Sequence, residues 1–88
     1  MRRVVSDTGP LLHLTEAQVL DLLRMTGEIH IPKAVEIEIV RHDPTWQPPG
    51  WMTVDMLTQP QAIEALAWQQ SGLLGKGEAD AIALARQF

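Results

Sequence analysis

With 88 residues, the chain has material for one small domain, which buries only a modest share of its surface. Apolar residues make up 45% of it, which excludes a disordered polymer, and the lack of cysteine excludes disulfides and thiolate metal sites. A net charge of -4 argues against non-specific nucleic-acid binding through a basic surface, but not against a nuclease, whose metal-binding carboxylates are themselves acidic.

No run approaches the roughly 20 apolar residues of a membrane span. The apolar stretch after Arg2 and Arg3 is too short for a signal peptide. Both points lead to the expectation of a cytoplasmic protein with no membrane partner.

Residues 3–6 read as a short buried strand, because Val4 and Val5 are β-branched and apolar. The turn cluster Ser6-Asp7-Thr8-Gly9-Pro10 follows, in which Asp7 or Thr8 can cap a helix with Pro10 in its first turn. Thr15 with Gln18 three residues on has the pattern of a capping box, so a fresh helix is expected there. Val19, Leu20, Leu22 and Leu23 would form its apolar face and Gly27 would end it.

Residues 28–31 read as a second strand with Ile29 and Ile31 on one face, and Pro32 as the start of a helix whose apolar positions are Val35, Ile37, Ile39 and Val40. Residues 42–50 form a loop, given Asp43-Pro44 and Pro48-Pro49-Gly50. Residues 51–57 hold a third strand around Met52-Thr53-Val54. A helix is expected over 59–70 with Ile63, Leu66 and Ala67 inward and Trp68 off that stripe. Gly77 closes a glycine-punctuated connection over 71–77, and alanine-rich residues 78–87 form the last helix. Strands alternating with helices predict an α/β fold with a parallel sheet.

Acidic residues recur at the junctions. Asp7 follows the first strand, and ligands of open parallel sheets bind beyond strand carboxyl ends. Its bland role is to cap the next helix. Glu36 and Glu38, two apart, project in different directions from their helix, so at most one faces a given site. Glu78 and Asp80 lie at the start of the last helix, where the macrodipole alone would favour them. If these carboxylates converge, they offer the oxygen ligands that Mg²⁺ and Mn²⁺ prefer, and such a centre can activate water against a phosphodiester.

Three stretches, in order, resemble the PIN domain family of metal-dependent nucleases. They are Val4-Val5-Ser6-Asp7-Thr8-Gly9-Pro10-Leu11, Ile31-Pro32-Lys33-Ala34-Val35-Glu36-Ile37-Glu38 and Gly77-Glu78-Ala79-Asp80-Ala81-Ile82-Ala83-Leu84-Ala85. The resemblance implies a PIN-like parallel sheet flanked by helices, and an Mg²⁺- or Mn²⁺-dependent endoribonuclease, such as the toxin of a toxin–antitoxin pair. It implies that Asp7, Glu38 and Asp80 are metal-binding catalytic carboxylates. Glu78 would be an alternate ligand, Thr8 an auxiliary residue beside Asp7, and Glu36 a variable position. RNA, an antitoxin protein and a second copy of the chain would be the partners. The resemblance also implies a further strand, with another acidic residue, after the last helix. The sequence stops at Phe88, so residues 1–88 are expected to form one partial domain, incomplete at its C-terminus.

The competing expectation is an inactive PIN-like protein that acts by oligomerisation through an open sheet edge. A third is a helical interaction module whose acids are only caps, with no parallel sheet. Trp46 and Trp51 are expected in a core or interface rather than stacked on bases. His13, His30 and His42 match no compact ligand spacing. His13 is expected half-buried on its helix and His42 in a loop. Lys76 is either a solvated lysine or a phosphate contact.

Overall fold

The computed structural model describes residues 2–88. Three strands, β1 (Arg3–Val5), β2 (Glu28–Pro32) and β3 (Met52–Asp55), lie in that order in one sheet, and both neighbouring pairs are parallel. Parallel neighbours need long crossovers. Here α1 (Thr8–Glu16) and a 3₁₀ segment (Leu20–Thr26) lead from β1 to β2, and α2 (Lys33–His42) leads from β2 to β3. The helices α3 (Gln59–Gln70) and α4 (Lys76–Ala85) follow. This is the expected α/β architecture, and the parallel sheet overturns the purely helical module.

The register sets Ile29 between Val4 and Met52, and Ile31 beside Val54. Side chains alternate along a strand, so these apolar residues share one face. There they meet Leu11 from α1, Val35 and Ile39 from α2, and Trp46 from the loop beyond. Fully burying a side chain of this size contributes about 1.5–3 kcal/mol, so this cluster dominates the fold. Trp46 is therefore a core residue, and Trp51 packs against the same cluster. The other face carries His30, against which the Phe88 ring lies with centroids 4.7 Å apart. On that side α4 contacts both β1 and β2. Helices thus cover both faces, with α1 and α2 on one and α4 on the other.

Several elements differ from their sequence-based expectation. Thr15 starts no helix; it lies inside α1, its hydroxyl buried without a hydrogen-bond partner among the described residues. α1 instead closes on a Schellman motif. Gln18 takes a positive φ of 61°, its N–H donates to the Thr15 carbonyl, and the Val19 N–H donates to that of Leu14. The exposed residues Ile37 and Val40 leave only part of the expected α2 stripe in the core.

α3 has the expected limits but the opposite face inward. Gln61, Ala65 and Trp68 turn toward α4, where Ala65 meets Ala79 and Ala83, while Ile63 and Leu66 are exposed. Two causes are visible. The Gln61 side chain is held in a capping box, accepting from the Thr58 N–H at 2.7 Å. Small alanines then let the two helices close together, and Trp68 packs beside them. α4 begins at Lys76, so Gly77 is a helical residue and not a turn. His13 is exposed rather than half-buried, and His42 ends α2 instead of lying in the loop. Among the described residues, no helix is long and apolar enough to cross a membrane.

Candidate metal centre at the carboxyl end of the sheet

Asp7 lies two residues beyond β1 and caps α1, with Oδ1 accepting from the Thr8 N–H at 2.6 Å. The cap uses one carboxylate oxygen, so capping leaves Oδ2 for other work. Asp7 also lies where the chain leaves the carboxyl end of β1, the end of a parallel sheet beyond which ligands bind.

Thr8 is buried, and its hydroxyl donates to Glu38 Oε2 at 2.6 Å. Glu38 is thereby drawn over from α2 to the end of β1. Gly77, in the first turn of α4, closes on the same carboxylate: a Cβ there would lie 2.9 Å from Glu38 Oε1 and 3.1 Å from Oε2. Three segments distant in sequence therefore meet at one point.

Asp80 sits one turn further along α4. It is buried, and its Oδ2 accepts from Lys76 Nζ at 3.2 Å. A cleft of about 290 Å³ opens beside it, lined by Ala34, Ile37, Leu57 and Ala62 together with Lys33 and Lys76. Glu78 turns back to its own helix end, where Oε1 accepts from the Gly75 N–H at 3.3 Å. Glu36 pairs with Lys33 on α2.

The fold thus joins Thr8 and Glu38 beside Asp7 and brings the start of α4 against them. Among the described residues, no three Asp, Glu or His side chains stand close enough to hold an ion as a group. The donor set nevertheless fits a hard divalent cation, because every candidate ligand offers oxygen. Gly77 lets α4 approach Glu38 closely, since a Cβ there would crowd both oxygens of that carboxylate.

His30 takes no part. Its Nδ1 lies 2.7 Å from Asp55 Oδ2 and its Nε2 lies 2.6 Å from Glu28 Oε1. Both ring nitrogens are occupied, and Phe88 lies against the ring. Two residues escaped the sequence reading. Gly77 looked like a turn, although a glycine among good helix formers also marks a close approach. Lys76 is solvated as expected, but its pairing with Asp80, at the four-residue spacing of a helical ion pair, went unread.

The family model for the PIN domain (DUF3368) matches residues 3–88, and the chain belongs to that family. No curated protein and no solved structure matches it.

Proposed function

From membership of the PIN domain family and the geometry at the end of β1, we propose that the chain is a Mg²⁺- or Mn²⁺-dependent endoribonuclease. We take it as the toxin member of a toxin–antitoxin pair, with RNA and an antitoxin protein as its partners. The observation that carries this reading is the junction of Thr8, Glu38 and Gly77 beside Asp7. A structural core has no need to gather a carboxylate, a hydroxyl and a glycine at a strand's carboxyl end.

In this reading Asp7, Glu38 and Asp80 hold the ion, which when bound supplies an activated water and neutralises charge on the phosphodiester. Thr8 fixes the direction of Glu38. Gly77 lets α4 pack against that carboxylate. Glu78 serves α4 first, since its carboxylate is engaged at the helix end, and ranks below the other three as a ligand.

The test is a calorimetric Mn²⁺ titration of the wild type and Asp7→Asn. Binding that the substitution abolishes, followed by Mn²⁺-dependent RNA cleavage, is the expected outcome. Unchanged Mn²⁺ affinity in Asp7→Asn would sink the site assignment.

A second reading is association without cleavage. It is favoured by the outward side of α3, where Ile63 is 63% exposed and Leu66 51% exposed. Apolar surface grouped in this way marks contact surfaces, here between copies of the chain.

A further inference from the structure

We infer that Lys76 is a tethered competitor for the divalent cation: its ammonium group holds the Asp80 carboxylate, and an ion reaches that carboxylate only by displacing it. This rests on the reading of Asp80 as a metal-binding carboxylate.

The burial of the two partners is unequal. The Asp80 side chain is 7% exposed, whereas that of Lys76 is 63% exposed. A carboxylate withdrawn from water needs a partner, and Lys76 Nζ supplies one at 3.2 Å. The lysine has given up little of its own hydration. Its flexible stem lets the ammonium leave Asp80 and stay in solvent.

The position of the pair points the same way. Lys76 is the first residue of α4, the end of a helix where a cation is disfavoured by the macrodipole. A basic residue preceding its acidic partner by four is also the weaker orientation of a helical pair. Lys76 therefore gains nothing from the helix and gains only from Asp80. Such a contact neutralises the buried carboxylate, yet it yields to a doubly charged ion. The cleft that Lys76 and Asp80 both line gives the displaced side chain room beside the site.

Lys76 is thus a positioning residue acting through Asp80. Removing its charge frees the Asp80 carboxylate for the ion. The test is calorimetric Mn²⁺ titration of the full chain, K76M, K76R, D80N and the double variant D80N/K76M. K76M is expected to bind Mn²⁺ about threefold to tenfold more tightly than the wild type. K76R should keep wild-type affinity, and in the D80N background K76M should change nothing. A lysine with only a structural role would alter the unfolding temperature without the ion and leave Mn²⁺ affinity where it was. If the wild type binds Mn²⁺ and K76M binds it equally or more weakly, the competitor role is overturned and the metal site stands. If neither binds Mn²⁺, the metal-site reading fails and this role fails with it. Should K76M not fold, K76Q carries the same test with the same outcomes.

Discussion

Thr8 Oγ1 lies 2.6 Å from Glu38 Oε2, and this bond fastens the start of α1 to the middle of α2. Thr8 is buried and Glu38 is half-buried, so loss of the hydroxyl leaves a carboxylate oxygen short of a donor. Thr8→Val keeps the shape and removes only the O–H. We expect it to cost about 1–3 kcal/mol in chemical denaturation and to weaken Mn²⁺ binding. Thr8→Ser should restore most of both. Full Mn²⁺ affinity in Thr8→Val would show that the hydroxyl does not direct Glu38.

Gly77→Ala separates stability from function. Alanine suits a helix better than glycine by about 1 kcal/mol, and the atom it meets is the end of a movable side chain. Unfolding should therefore change by less than about 1 kcal/mol in either direction. The new methyl group pushes Glu38 away from Thr8, so Mn²⁺ affinity should fall. A variant that is destabilised while binding normally would contradict this account of the glycine.

The exposed side of α3 predicts that Ile63→Glu and Leu66→Glu leave the folded chain nearly as stable as before, within about 0.5 kcal/mol. Both should reduce self-association in sedimentation experiments if that face joins copies. Ala65→Leu is the contrasting substitution. Ala65 is buried against Ala79 and Ala83, so the added bulk should cost about 1–3 kcal/mol in denaturation. Equal damage from Ile63→Glu would mean that the helix faces had been misassigned.

Gln18 holds a left-handed backbone at the end of α1. Glycine adopts that conformation without strain. Gln18→Gly should raise stability by about 0.5–1 kcal/mol, the larger relief in the folded state being partly offset by the freer unfolded chain. A lower unfolding midpoint would instead mean that the Gln18 side chain makes a contact of its own.

The sheet was legible because Val4, Ile29, Ile31 and Val54 announce strands by β-branching and alternation, and the glycine- and proline-rich stretches between them mark the breaks. The facing of α3 was not legible. Periodicity alone favours the larger apolar residues Ile63 and Leu66 as the inner side, but the choice was made by Ala65 against Ala79 and Ala83, a fit between two helices. The break after α1 was missed for a related reason. Gln18 is an unusual residue for a left-handed position, and Thr15 and Gln18 imitate a helix start. At the site, Asp7 could be picked out by its place after β1, whereas Thr8 was singled out only by the family resemblance. The engagement of Glu38 by Thr8 and Gly77, and of Asp80 by Lys76, depends on side-chain reach across elements, which a linear pattern does not encode.

The junction of Thr8, Glu38 and Gly77 also has a consequence for synthesis. Its members come from the first strand's end, the second crossover and the last helix, so none of the local pieces contains it. While the chain emerges from the ribosome, Asp7 and Glu38 appear well before α4. A nascent chain that already has its sheet still lacks the wall that Gly77 provides and the carboxylate of Asp80. The arrangement around Glu38 therefore waits on α4, in whatever order the sheet and its crossovers form.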